Sequence, residues 1–258
     1  MPDAAPAPLF SIITVVRNAV NTIENCIQSV ESQSFTDFEY ILIDALSDDG
    51  TSELISKHVG SIETYVREKD TGIYDAMNKA IAMCRGRFIG IINADDAYFE
   101  DTLENVQKAI FEFPESQIIY GGVEILSAEA GSLFVTHTNL DRAMIAHPSC
   151  FVSAETYRKF GTFDSSFKIA ADYDFMFRVF KAGVVFHNTG QLLAKYRPGG
   201  ASAKNRFNSI REMISIQAIH LGWSKFYRNY RLVRYTVATY LKNWAKSIQH
   251  APNPQYRL

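Results

Sequence analysis

Three short runs of consecutive apolar residues punctuate the first part of the chain: Phe10 to Val16 (FSIITVV), Tyr40 to Ile43 and Phe88 to Ile92. Each is long enough for a strand buried on both faces and too short for a helix. The segments between them carry a different period. From Asn21 to Ser32 the apolar residues are Ile23, Cys26, Ile27 and Val30, a helical spacing. Asp48-Asp49-Gly50-Thr51 predicts a turn into a second helix carrying Leu54 and Ile55. The same period brings Tyr74, Asn78 and Ile81 onto one helical face after Asp70-Thr71-Gly72. In KIAADYDFMFRVFKAG, Phe175, Phe177, Val179 and Phe180 predict a mostly buried helix with Asp172 near its start. Strands alternating with helices imply an α/β fold with a mostly parallel sheet and helices on both faces. No apolar run approaches the ~18 residues of a membrane-spanning helix.

In such sheets ligands lie beyond the carboxyl ends of the strands. The second strand ends at Asp44, and the third runs into Asn93-Ala94-Asp95-Asp96. A dinucleotide loop, G-x-G-x-x-G, would have to follow the first strand, where Arg17, Asn18, Ala19 and Val20 stand instead; the first glycine is Gly50. No P-loop motif occurs either. A diphosphate at this edge therefore requires a cation held by carboxylates. Each candidate also has a plainer explanation. Asp95-Asp96 alone is a solvated turn, because adjacent carboxylates repel. Asp44 suits a turn or cap, and Asp172 suits a helix N-cap as well as a general base. His147, before Pro148, is the kind of histidine that is more often structural than catalytic. Ser47, Ser149 and Ser202 lack the G-x-S-x-G elbow of a serine hydrolase.

Composition narrows the class. With 47% hydrophobic and 21% charged residues the chain is globular, and 26 basic against 28 acidic residues leave no overall field for nucleic acid. Three widely spaced cysteines exclude a disulfide framework and a zinc ribbon and suit a reducing, cytoplasmic compartment. Residues 1–8 read as a frayed tail without a signal peptide. The charge is unevenly spread: residues 204–258 carry ten Lys or Arg and one acid, which leaves a balance of -11 in residues 1–203. That shift marks a boundary near residue 200. Beyond it, Tyr230, Val233, Val237, Tyr240, Leu241, Trp244 and Ile248 fall on one helical arc, with Lys225, Arg228, Arg231, Arg234, Lys242 and Lys246 opposite. Such a helix packs on the body or on another copy of the chain, or lies on an anionic membrane surface.

Together these pieces resemble the family 2 glycosyltransferases, whose nucleotide-sugar-binding domain has the Rossmann-like GT-A fold. The order matches over residues 9–203: the first strand into Thr14-Val15-Val16-Arg17-Asn18, then Asp44 with Ser47 to Thr51, Asp70 to Lys79, Asp95-Asp96, Gly161 to Asp164, and Asp172-Tyr173-Asp174. The stretch DTGIYDAMNKAIAMCRGRFIGIINADD resembles the branch that builds bacterial surface polysaccharides such as colanic acid. The resemblance implies a catalytic domain over 9–203, followed by the basic helical segment 204–258. It also implies roles. Thr14, Val15, Val16 and Asn18, with Asp44, would hold the base of a nucleoside diphosphate, UDP being favoured. Asp75, Asn78, Lys79, Asn93, Asp95 and Arg197 would complete the donor site. Asp96, with Asp95, would bind the Mn²⁺ or Mg²⁺ that bridges the diphosphate. Asp172 would deprotonate the acceptor hydroxyl of a glycan or lipid-linked saccharide, with His147 and Asp174 on the acceptor side. The loop from Lys195 to Ser202 would fold over the donor, its paired glycines suiting a hinge. Two positions depart from the pattern: Ala45-Leu46 follow Asp44 where many relatives have a second acid, and Asn93 stands where an Asp often opens the metal motif.

The chemistry agrees with these residue types. A sugar leaving diphosphate needs a cation for the developing charge, and inversion in one step needs one base on the opposite face. A glycosidase would instead flank the bond with two carboxylates. The competing classes are a sugar nucleotidyltransferase, which would want a glycine-rich loop after the first strand, and a non-catalytic sugar-nucleotide-binding subunit, which would not need Asp95, Asp96 and Asp172 together.

Overall fold

The three apolar runs become β1 (Phe10–Val16), β2 (Phe38–Asp44) and β4 (Phe88–Ile91), joined by a short edge strand, β3 (Thr64–Arg67). They pair in the order β3-β2-β1-β4, all parallel. Beyond β4 the sheet is mixed. β8 (Cys150–Ser153) runs antiparallel to β4 and to β6 (Ile118–Ile125), β9 (Phe186–Tyr196) runs parallel to β6, and β5 (Ala97–Tyr98) closes the order antiparallel to β9. β7 (Gly131–Leu133) pairs antiparallel with β6. The parallel expectation thus describes the first four strands; β6 and β8 are joined without a crossover helix, as antiparallel neighbours permit. The computed structural model describes residues 6–127, 131–141, 143–200 and 205–249, with side chains to residue 238.

Alternation along β1 sends Phe10, Ile12 and Val16 to one face, where they join Ile23, Cys26, Ile27 and Val30 of α1 (Ile23–Glu31) and Leu103, Val106 and Ile110 of α4 (Thr102–Glu112) in one core. α3 (Ile73–Met83) packs on β1 and β2 as well. Each fully buried isoleucine here contributes about 1.5–3 kcal/mol. Shorter helices follow the strands: α2 (Thr51–Ser56), α5 (Ala154–Phe160) and α6 (Ala171–Lys181), with 3-10 turns at His137–Asn139 and His147–Ser149.

Strand direction determines what meets where. One edge of the sheet collects the C-terminal ends of β1, β2, β3, β4 and β9 and the N-terminal ends of β5 and β8. Every acidic strand end singled out in the sequence lies on that edge. The opposite edge is fastened by Glu39, which accepts hydrogen bonds from Ser11 Oγ (2.5 Å), the Arg85 backbone N–H (2.6 Å) and Arg85 Nε (2.8 Å). Gly86 completes this clasp: a Cβ there would sit 2.4 Å from the Ser11 nitrogen, so no side chain fits.

The chain divides into two units, Met1–Arg206 and Phe207–Leu258. The second holds α7 (Arg206–Leu221) and α8 (Lys225–Gln249). Between them Trp223 donates its backbone N–H to the Ala218 carbonyl, packs edge-on against Tyr227 and carries the Arg231 guanidinium 4.8 Å above its ring. Along α8, Phe226, Tyr230, Val233 and Val237 are exposed. The side chains of Tyr240, Leu241, Lys242, Trp244, Lys246 and Ile248 lie outside the described residues, as do residues 1–5 of the N-terminal segment. Among the described residues, no helix is long and apolar enough to cross a membrane.

Candidate active site

The loops that leave β1 and β2 are stitched to each other. Asn18 adopts φ 53, a left-handed conformation that asparagine tolerates. Its backbone N–H donates to Ser47 Oγ (2.9 Å), and its side-chain amide exchanges two hydrogen bonds with Asp48. Ala19 and Val20 donate to Thr51 Oγ1 (2.8 Å) and Asp49 Oδ2 (3.1 Å). Asp44 lies beneath this loop, fully buried. Its Oδ1 accepts the Ser47 N–H and hydroxyl, and its Oδ2 accepts the hydroxyls of Ser52 and Tyr65, with Arg67 Nε at 3.4 Å. Burial alone would raise this carboxyl; the bonds from Ser47, Ser52 and Tyr65 outweigh it and hold Asp44 below its ordinary range.

Several of the expected donor-site residues also hold the fold together. Asp44 has both oxygens engaged and shapes the loop wall. The Thr14 hydroxyl is buried under the Tyr40 phenol (3.0 Å), and Val15 and Val16 are core residues, so any ligand at the end of β1 meets main chain. Leu46, at φ 57 and 44% exposed, stands out on this edge, a bulky residue in a region that disfavours one. Arg67 is not legible in the sequence: β3 is four residues long and half-buried, too weak a pattern to read, yet it carries a guanidinium to Asp44 and the Ser47 carbonyl.

Between β4 and β5 the chain turns through Asn93 to Asp96. Asp96 is 1% exposed; its Oδ1 accepts the Arg197 backbone N–H (3.0 Å) and its Oδ2 the Asn93 amide (3.2 Å). Burial pushes its carboxyl up to about 7 against the Arg197 hydrogen bond, and the neighbouring Asp95 charge adds to the rise. Asp95 is half-buried, and a Cβ on Gly200 would come within 3.1 Å of its Oδ2, so the loop after β9 passes close over the pair. Ala201 and Ser202 of that loop lie outside the described residues. Asn93 Oδ1 is buried without a partner.

That orphaned oxygen beside two carboxylates fits a hard divalent cation, which takes oxygen ligands and commonly shares one or two carboxylates with substrate phosphates. Among the described residues no group of three or more His, Cys, Asp or Glu surrounds a point, so a cation here would rely on Asp95, Asp96 and Asn93 together with the oxygens of a bound diphosphate.

The first turn of α3 supports the neighbouring wall. Asp75 accepts the Thr71 N–H (2.9 Å) and pairs with Lys79 (3.5 Å), which also reaches Glu68 (2.8 Å) and the Lys69 carbonyl (3.1 Å). Asn78 exchanges two hydrogen bonds with the Phe163 backbone, Nδ2 to carbonyl (2.9 Å) and N–H to Oδ1 (3.0 Å). Its amide clamps the turn at 161–164. Opposite, Asp172 opens α6 and is 8% exposed; the Tyr74 phenol lies 2.8 Å from its Oδ1. His147 is buried with neither ring nitrogen partnered, edge-on to Phe163; burial lowers it, against the pull of the Asp172 charge. Asp174 pairs with Arg178 (3.6 Å), which holds the carbonyls of Phe160 and Thr162, so it organises that turn.

A parallel half-sheet with acids at two strand ends, continued by antiparallel strands that bring in a third, defines the GT-A class of fold. Residues 11–181 match Glycosyl transferase family 2; the chain belongs to this family and is a glycosyltransferase. The nucleotidyltransferase and non-catalytic alternatives give way to it. A PGL/p-HBAD biosynthesis glycosyltransferase of Mycobacterium bovis is 31% identical over 180 residues, covering 67% of this chain and 70% of that one. An uncharacterized glycosyltransferase of Rickettsia prowazekii is 25% identical, covering 77% and 67%. Among solved structures, S. aureus TarS 1-349 in complex with UDP-GlcNAc superposes with a TM-score of 0.70 at 16% identity, covering 88% of this chain and 71% of that chain. The mannosyltransferase PcManGT from Pyrobaculum calidifontis, in complex with GDP-Man and Mn2+, gives 0.68 at 16%, covering 98% and 79%.

Proposed function

We propose that the protein is an inverting, metal-dependent glycosyltransferase that moves a sugar from a nucleoside diphosphate, UDP-sugar favoured, to a hydroxyl of a glycan or lipid-linked acceptor. One observation carries this: two separate acidic centres meet one sheet edge, Asp95-Asp96 after β4 and Asp172 at the start of α6, whose charge is felt by Cys150 at the start of β8. The first suits a leaving diphosphate and the second an incoming hydroxyl. UDP-GlcNAc in TarS and GDP-Man with Mn2+ in the mannosyltransferase support a nucleotide-sugar donor. A bound cation would offset charge developing on the leaving diphosphate. The main chain at the end of β1 and the loop built on Asp44 hold the base; the Arg197 loop covers the diphosphate; Asp172 takes the acceptor proton, and the unpartnered His147 imidazole offers that acceptor a hydrogen bond. A role in surface polysaccharide synthesis rests on the motif over residues 70–96. The exposed aromatic and aliphatic residues of α8, with its arginines, suit attachment to an anionic membrane that holds a lipid-linked acceptor.

The test is a thermal-shift series with UDP, GDP, UDP-GlcNAc and GDP-Man in Mn²⁺. A bound nucleotide at 100 times its Kd adds about 2.7 kcal/mol, so the preferred base is expected to raise the melting temperature by several degrees. No shift with any of the four would contradict the proposal.

A further inference from the structure

We propose that Tyr74 is the positioning residue of the acceptor-side base: its phenol fixes Oδ1 of Asp172 and sets how readily that carboxylate takes a proton. This rests on the assignment of Asp172 above.

The Tyr74 oxygen lies 2.8 Å from Asp172 Oδ1 and 2.8 Å from the Ile169 carbonyl oxygen. A phenol has one proton, and both neighbours are acceptors while Asp172 is ionised. The proton then steadies the negative carboxylate. When a proton sits on Oδ1 the set is also complete, with Tyr74 donating to Ile169 and accepting from Asp172. The pocket thus accommodates the base before and after proton uptake without leaving a buried donor unpaired.

Tyr74 is itself held in place. It is 6% exposed, and its ring meets Phe163 at 5.5 Å, while Asn78, one helical turn further on, clamps the Phe163 backbone. Burial, then the charge of Asp172, raises its phenol well above the ordinary 10, so it stays a donor across the working range. Among the described residues, His147, Cys150 on β8 and Tyr157 on α5 also feel the Asp172 charge. Burial lowers the first and raises the other two, which leaves all three neutral near pH 7. On its own helix, Asp174 and Arg178 pair with each other. Among the described residues, Tyr74 is the hydrogen-bond donor to the Asp172 carboxylate.

The test is a carbon-13 NMR titration of the whole protein, labelled at the aspartate side-chain carboxyls, with the Asp172 resonance identified by its loss in Asp172→Asn. Tyr74→Phe keeps the ring on Phe163 and removes only the hydroxyl. A hydrogen bond to the charged form favours that form, so its loss is expected to move the Asp172 midpoint up by about one pH unit, tenfold in proton affinity. A ring-fluorinated tyrosine at position 74, a stronger donor in an almost unchanged shape, is expected to move it down and serves if the phenylalanine variant does not fold. A purely structural tyrosine would lower the melting temperature and leave the midpoint where it was; equal midpoints in all three proteins would overturn the proposal. Normal transfer by Asp172→Asn would instead overturn the base role of Asp172, an outcome distinct from the midpoints, which report on Tyr74.

Discussion

Single carboxylates in this chain do opposite things according to what surrounds them. Asp44 and Glu39 are buried with several donors each and are held below their ordinary range; Asp96 is buried with few and is pushed up. For Glu39, burial alone would raise the carboxyl, and the bonds from Ser11 and Arg85 outweigh it. Its folded pKa is therefore depressed, and the stability it contributes is present above its ordinary 4.5 and lost as pH falls through the folded value. Glu39→Gln is expected to cost about 2 kcal/mol near neutrality, from lost hydrogen bonds to a charged acceptor. The gap from wild type should close in urea melts run below pH 4.5, the ordinary value of this carboxyl; a gap unchanged with pH would show that Glu39 is not held as an anion. At the site, Asp172→Asn is expected to keep nucleotide binding and lose transfer by roughly 10² or more, the range for a lost general base. Near-normal turnover would remove Asp172 from that role.

At the scale of elements, α3 is the support on which the proposed acceptor side is built. It delivers Tyr74 to Asp172, Asn78 to the turn at 161–164 and Asp75 with Lys79 to its own entry loop. Asn78→Ala leaves an N–H and a carbonyl of Phe163 unpaired and is expected to cost about 2 kcal/mol of stability while leaving UDP affinity unchanged. A direct donor contact would give the reverse pattern in melting and calorimetry. The strands β1, β2 and β4 and the helices carrying Ile23 to Val30 and Phe175 to Val179 were legible because burial on one or both faces writes a plain period into the sequence. β3, β5 and β7 were not, being two to four residues long. Asp44 and Asp95-Asp96 were legible as strand ends and Asp172 as a helix start. What the sequence could not tell was which polar side chains would find partners inside the fold: Asn78 holds the Phe163 backbone, Asp44 gathers the hydroxyls of Ser47, Ser52 and Tyr65, and Tyr74, which looked like packing, reaches a carboxylate.

For the molecule as a whole, charge is partitioned along the chain, with the acids in residues 1–203 and a balance of +9 in residues 204–258. Each basic residue near an anionic surface contributes about 1 kcal/mol, and the attraction fades within a Debye length of roughly 8 Å at physiological salt. The protein is expected to float with anionic liposomes at low salt, less at high salt, and little with neutral ones. Arg228→Gln, Arg231→Gln and Arg234→Gln together should abolish flotation and leave nucleotide binding intact. If the wild type never floats, α8 packs against protein instead.

The proposed metal-dependent donor site is tested most directly by calorimetric titration of UDP into the whole chain, once with Mn²⁺ and once with EDTA. Asp95, Asp96 and the unpartnered Asn93 oxygen predict that the metal tightens UDP by about tenfold or more, close to 1.4 kcal/mol. Asp96→Asn, which removes a charge that the buried site already disfavours, should fold and lose that gain. Equal affinity with and without metal in the wild type would contradict the account.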